Sequence, residues 1–163
     1  NGLPRDLNQA TKWLSTAAER GHAVAQFTLG QMAYSNENYE LALEWFTPAA
    51  QQGHSDALNS IGVMYFKGQG IDQDYSAALR LYILAAERGH GPSQLSLGSM
   101  YYQGQGVTKD IVGAFMWMEI AAQSGEEWGE KNKNIISPQM SSTQIEDAQS
   151  RVRECIQKNY VGC

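Results

Sequence analysis

The stretch S-D-A-L-N-S-I-G-V-M-Y-F-K-G-Q-G-I-D-Q-D-Y-S-A-A-L-R-L-Y-I-L-A-A-E-R-G-H, residues 55–90, decides the fold, because the rest of the chain can be laid on it as whole or partial copies. The copy from Gly91 to Glu126 starts 36 residues later. Ile61-Gly62 becomes Leu97-Gly98, Met64-Tyr65 becomes Met100-Tyr101, and Ala85-Ala86 becomes Ala121-Ala122. The copy from Ala23 to His54 is four residues shorter, and its gap falls where the later units carry Gly68-Gln69-Gly70 and Gly104-Gln105-Gly106. Self-similarity at this period predicts a stack of identical supersecondary units rather than a globule with one irregular core.

Each unit reads as two helices. The first is predicted at 23–35, 55–67 and 91–103, and the second at about 38–52, 74–88 and 110–124. Short connections make neighbours antiparallel. Glycine at 21, 53, 89 and 125 follows the second helix of each unit, where a left-handed residue closes a helix without steric cost. A second glycine column, Gly30, Gly62 and Gly98, lies inside the first helices and costs about 1 kcal/mol each against alanine. Its recurrence implies helices that approach too closely for a side chain, with Trp45, Leu81, Trp117, Phe46, Tyr82 and Met118 filling the space between them. A kink is expected at Pro48, inside the second helix of the short unit. Pro92 falls in a first turn, which tolerates proline.

The ends are atypical. Gly2-Leu3-Pro4-Arg5-Asp6-Leu7 aligns with Gly70–Tyr75 and Gly106–Ile111, the middle of a unit, so the chain begins halfway through a repeat. An upstream helix, and a signal peptide before it, are the expected missing pieces. Residues 7–20 read as a helix with Leu7, Ala10, Trp13, Leu14, Ala17 and Ala18 on one stripe. Beyond Glu126 a weaker helix is expected to Ile136, then a break at Ser137-Pro138. Ser141 and Gln144 next have capping-box spacing, and Ile145, Ala148, Val152 and Ile156 form the buried stripe of a last helix with a charged outer face. The expected organisation is one domain, 1–163: a half unit 1–22, units 23–54, 55–90 and 91–126, and a cap 127–163.

Bulk composition excludes several function classes. Net charge is −5, from 12 basic and 17 acidic residues, and no cluster of Lys or Arg offers the footprint of a nucleic-acid binder. No apolar run is long enough to cross a bilayer. His22, His54 and His90 share one column, so packing separates them by roughly 8–10 Å, too far for one zinc with ligands about 2 Å away. They are read as polar residues beside the C-terminal glycines, their charge favourable near a helix end. No metal, cofactor or catalytic residue is expected. The Gly-Gln-Gly triplets lack the residues that follow a phosphate-binding loop and are read as turns, with Asp74 and Asp110 in the first turn of the next helix. Cys155 and Cys163 would lie about 12 Å apart in one helix, beyond disulfide reach. Gly162 allows the tail to fold back, so a bridge and two free thiols both stay open.

The pattern A-x(3)-L-G-x-M-Y-x-x-G-x-G-V-x-x-D-x-x-x-A-x(6)-A-A-x-x-G over about residues 2–126 resembles the Sel1-like repeat, a relative of the tetratricopeptide repeat, and M-S-S-T-Q-I-E-D-A at 140–148 is similar to the cap behind bacterial repeats of that kind. The resemblance implies an all-α, right-handed α-solenoid of stacked antiparallel helix pairs, with first helices lining a concave face. It also implies an adaptor, scaffold or cognate-toxin immunity protein whose partner is another protein, a secreted toxin or an envelope component, in the periplasm or secreted, with the cytoplasm left open. The rival class is a small-ligand or β-lactam-binding hydrolase of the cysteine-rich subset, which carries a cysteine pair in each repeat. This chain has none there. With a core face of Ala25, Leu29 and Met32, Ala57, Ile61 and Met64, and Ser93, Leu97 and Met100, the neighbouring stripe becomes the candidate contact surface: Phe27, Gln31, Tyr34; Asn59, Val63, Phe66; Leu95, Ser99, Tyr102. For Tyr34, Phe66 and Tyr102 the competing reading is packing on the adjacent repeat.

Overall fold

Hydrophobic residues at helical spacing, punctuated by glycine at each unit's end, give a chain of helices and turns; no strand occurs among the described residues. The computed structural model describes residues 3–163, with side chains from residue 11 on. The helices are α1 (Leu3–Glu19), α2 (Ala23–Ser35), α3 (Tyr39–Gln51), α4 (Ser55–Lys67), α5 (Tyr75–Ala86), α6 (Gly91–Gln103), α7 (Ile111–Gln123), α8 (Glu127–Ile136) and α9 (Ser142–Gln157), with a 3-10 turn at Ser137–Gln139 before α9. Pairs α2/α3, α4/α5 and α6/α7 pack internally, each pair packs on the next, and α7 carries both α8 and α9. The result is an α-solenoid closed by a capping helix.

The unit junction is the same each time. Gly53 N–H donates to the Ala50 carbonyl and His54 N–H to the Ala49 carbonyl, and the bonds recur at Gly21/His22, Gly89/His90 and Gly125/Glu126. Each glycine has positive φ. Two bonds from two consecutive residues satisfy two of the four orphan carbonyls of one helix. The second residue then begins the next helix, which corrects the reading of the histidines. His22, His54 and His90 are N-caps, at φ −70°, −67° and −75°, a helix end where positive charge is disfavoured. Asp74 and Asp110 likewise cap rather than follow, accepting from Ala77 N–H and Val112 N–H at 2.9 Å.

Other expectations shift at the ends. α1 already includes Leu3–Asp6, so the stretch aligned with the inter-helix loop is helical from Leu3; Gly2 and the side chains of Leu7 and Ala10 lie outside the described residues. Trp13 is exposed, whereas Trp117 in the same column is buried with Ala78 and Tyr82 of the preceding unit. Met32 is exposed where Met64 and Met100 are buried, and for the same reason. Met64 packs on Ala33, Ala42 and Phe46 of the unit before it, while only the single helix α1 precedes α2 among the described residues. α3 runs through Pro48 to Gln51 without interruption.

In α9 the capping box at Ser141 and Gln144 forms. Ala148 and Val152 are buried, but Ile156 is exposed and Cys155 takes its place in the core. The reason lies in the tail. Asn159 and Tyr160 both adopt positive φ, reversing the chain after Lys158, and Cys163 returns to form a disulfide with Cys155 at a Cα separation of 5.4 Å. Gly162 N–H also donates to Glu87 Oε1 at 3.1 Å. Closing a loop of this length stabilises by about 2.5 kcal/mol in the chain-entropy model. Reduction is therefore expected to lower the unfolding free energy by about that amount and move the urea midpoint down with it, measured by circular dichroism with and without a reductant. An unchanged midpoint would show that the tail adds nothing to the cap.

Candidate partner-binding face

The first helices α2, α4, α6 and α8 stand side by side, and their shared face carries a series of depressions. Between α2 and α4 lies a cavity of roughly 610 Å³, lined by Gln31, Tyr34, Asn59, Val63 and, from outside the expected stripe, Thr28, Met32, Ser35, Asn36, Phe46 and Ser60. One unit along, Phe66, Leu95 and Ser99 line a cavity of roughly 310 Å³ with Tyr82, Ser96, Met100, Trp128 and Asn132. A third, of roughly 150 Å³, holds Ser99, Tyr102, Gln103, Met118, Asn132, Ile135 and Ile136. None of these lining residues is Asp, Glu, Lys, Arg or His. Burial pushes the Tyr82 hydroxyl up to about 12, so it too is neutral at physiological pH.

Eight of the nine stripe residues therefore line depressions. Phe27 is the exception: its ring stacks on His54, the N-cap of α4, at 4.7 Å and lies 5.7 Å from Phe46 of α3, so it packs between helices instead of lining a depression. The missed column, Thr28, Ser60, Ser96 and Asn132, is one position further along each helix. Its signal was present in the repeat alignment as four small or amide side chains at equivalent places. The aromatic column also has internal partners. Tyr34 O–H donates to Gln69 Oε1 at 2.7 Å and sits edge-on to Tyr39; Phe66 contacts Tyr75; Tyr102 O–H donates to Gln139 Oε1 at 3.2 Å, with Lys109 Nζ 5.1 Å from its ring.

These contacts explain the Gly-Gln-Gly turns. Gln69 reaches back to the preceding unit, accepting from Tyr34 and donating through Nε2 to the Tyr39 oxygen at 3.0 Å. Gln105 occupies the same place one unit later, where Phe66 stands in the tyrosine column, and Gln105 Oε1 is buried without a hydrogen-bond partner. An unmet buried acceptor costs roughly 1–3 kcal/mol. Phe66→Tyr is expected to supply the missing donor and stabilise the chain by about 1 kcal/mol in thermal denaturation; a loss of stability would refute this pairing.

The fold also assembles a constellation that spacing did not suggest. His90 Nδ1 lies 2.9 Å from Ser93 Oγ, and His90 Nε2 lies 3.3 Å from Asp56 Oδ1 at the start of α4. His54 Nδ1 approaches the other oxygen of Asp56 at 3.7 Å. The residue types are those of a hydrolytic triad, but the geometry serves packing. Ser93 is 0% exposed, its hydroxyl donates to Asn59 Oδ1 at 2.9 Å, and its N–H donates to His90 Nδ1. A nucleophile must reach a substrate carbon. The network instead pins α6 to α4. Gln26 and Gln94 act similarly, each buried and donating to a carbonyl of the preceding helix, Ala18 and Ala86.

Comparison with known proteins bears on this face. The family model for the Sel1 repeat matches residues 1–22, 23–54, 55–90 and 91–126. Among solved structures, a protective antigen of uropathogenic Escherichia coli displaying an SLR fold superposes with TM-score 0.88 at 32% identity, covering 94% of this chain. The chain spans only 34% of that protein's length. A Sel1 repeat protein from Oxalobacter formigenes gives TM-score 0.69 at 33% identity, over 80% of this chain and 98% of that one. The cysteine-rich protein B of Helicobacter pylori shares the fold with TM-score 0.63 at 22% identity, over 80% and 97% of the two chains. No curated protein matches the chain.

Proposed function

This chain belongs to the Sel1 repeat family, and on that premise we propose that it is a non-enzymatic interaction module holding a protein partner on the face of α2, α4 and α6. Proteins built on this repeat are generally protein–protein interaction modules and typically non-catalytic. The observation that carries the reading is the recurrence of depressions along that face in adjacent units, each lined by a mixture of apolar, hydroxyl and amide side chains. Such a mixture offers buried area together with hydrogen-bonding specificity, as contact surfaces require. In this reading residues 1–163 act as one solenoid domain, with units 23–54, 55–90 and 91–126 between the half unit 1–22 and the cap 127–163.

The Cys155–Cys163 bridge supports an exported setting, periplasmic or secreted, because such bonds persist where thiols are oxidised. No described helix is long and apolar enough to cross a membrane. Within that setting the partner is a secreted toxin, for an immunity protein, or an envelope component, for an assembly factor or scaffold. Capture on the immobilised chain from the native source, followed by the mass of the complex, separates the two. The face itself is tested by Gln31→Glu, Ser60→Glu and Ser99→Glu combined, at positions on the face whose side chains make no hydrogen bond to another unit. Affinity for the captured protein is expected to fall at least about tenfold, since charge is driven into an uncharged contact, while the melting temperature stays near that of the parent chain. Unchanged affinity rejects this face.

A further inference from the structure

Resting on that reading of the face, we propose that its end between α6 and α8 holds an acidic segment of the partner, which seats apolar side chains in the groove and sets carboxylates against Lys109 and Lys131. The groove there is continuous. Leu95, Ser99 and Tyr102 form one wall and Trp128, Asn132 and Ile135 the other, and the two depressions between them share Ser99 and Asn132. From Leu95 to Tyr102, and from Trp128 to Ile135, each wall covers about 10 Å of helix.

The exposure of α8 is not an effect of its place near the end of the stack. Trp128 is 60% exposed and Ile135 65%. Val24, Asp56 and Pro92 occupy the column of Trp128 in the earlier units, and all three are exposed too. That column faces solvent in every unit, and only α8 places there a side chain as large as tryptophan, a residue type enriched among those that anchor interfaces. α8 also lies beyond the residues matched by the family model, so this wall belongs to the chain's own cap.

Charge selects the occupant. Lys109 Nζ stands 5.1 Å from the centre of the Tyr102 ring and Lys131 Nζ 4.5 Å from that of Trp128, so a cation borders the groove at each end. The carboxylates nearby are already engaged. Glu119 and Glu130 pair with Lys133 at 2.8 and 2.7 Å, and Asp110 lies 3.6 Å from Arg151. Lys131 pairs with Glu127, an exposed contact within one helix that a carboxylate of the partner can replace at little cost. Lys109 pairs with no carboxylate among the described residues. No acidic side chain lines either depression, although acidic residues outnumber basic ones in the chain by 17 to 12. An incoming carboxylate thus meets attraction at both ends, whereas an incoming ammonium meets repulsion at Lys109 with no acid to offset it.

The test uses the full chain with its disulfide intact and three capped peptides that share a leucine pair and differ only in the flanking residues: glutamate, glutamine or lysine. Tryptophan fluorescence and amide chemical shifts follow the titrations. The glutamate peptide is expected to bind about fivefold more tightly than the glutamine peptide in about 50 mM NaCl, a preference that shrinks below about twofold in about 500 mM. The lysine peptide should bind most weakly. Lys109→Gln combined with Lys131→Gln should bring the glutamate and glutamine peptides within about twofold of each other, and Trp128→Ala should weaken both by about tenfold. Comparing peptides on one variant cancels any change in its folding. Equal affinities on the parent chain, no saturable binding, or shifts confined to other surfaces would overturn the proposal. The Gln31→Glu, Ser60→Glu, Ser99→Glu variant keeps the two levels apart. If that variant loses the captured protein while the parent chain shows no preference for glutamate, the face stands and the acidic segment falls. If the variant keeps the captured protein, the face itself is wrong.

Discussion

Gly106→Val is expected to destabilise the chain by roughly 4 kcal/mol, lowering its melting temperature by about 10 °C. Two independent costs combine at this position. Gly106 has φ +70°, a conformation that a β-branched residue adopts only under strain. A Cβ there would also lie 2.6 Å from the Tyr75 carbonyl carbon and oxygen and 2.9 Å from Ser76 N, which are backbone atoms at the start of α5 and cannot swing aside. The loop of one unit is thereby pressed onto the second helix of the unit before. Gly125→Ala separates the two costs, because Gly125 has φ +93° and a methyl group at its Cα would meet nothing within 4 Å. It should lose only the backbone term, about 1 kcal/mol. Equal losses in both variants, read from chemical denaturation, would show that contact between units contributes nothing at Gly106.

A double-mutant cycle between Gly30 and Phe46 is expected to show coupling of about 3 kcal/mol. Phe46 is buried to 1% exposure, and its ring occupies the space in front of Gly30, where a Cβ would collide with Phe46 Cδ1 and Cε1. Gly30→Ala alone should destabilise by about 2 kcal/mol, as the clash outweighs the gain in helix propensity. Phe46→Ala alone should cost about 4 kcal/mol through lost burial and the cavity left behind. Together the penalties do not add, since the new methyl enters the vacated space and alanine's preference for helix is recovered. Additive losses would refute the account. Gly62 against Tyr82 and Gly98 against Met118 repeat the arrangement, with a Cβ 2.7 Å from the facing side chain in both.

These pairs show why so much was legible beforehand. A glycine retained inside three successive first helices, each facing a large residue of the following helix, is a packing signature that survives in one dimension. Helix boundaries were readable for the same reason, because the C-terminal glycines and the capping Asn38, Asp74, Asp110 and Ser141 act within a few residues of themselves. Burial at the ends was not readable. Met32, Met64 and Met100 are identical in the alignment, and the exposure of the first follows from what packs on it. The same holds for Ile156, displaced from the core by a tail whose return depends on left-handed Asn159 and Tyr160.

The face divides along the same line. Its expected place on the first helices came from the resemblance to the Sel1-like repeat, and eight of the nine expected residues line depressions there. Which way Phe27 turns is decided by His54 and Phe46 on other helices, and the Asp56–His90–Ser93 chain joins residues 34 and 3 positions apart through a contact between α4 and α6. By itself the sequence determined the repeat, the helix pairs and their close approach, because those rest on local conformation and on columns of like residues. Only the tertiary structure decided which column faces outward, that Ser93 is sealed from solvent, and that the lining of the groove is free of charge. Those properties depend on the rotation of each helix against its neighbours, set by side chains far apart in the chain.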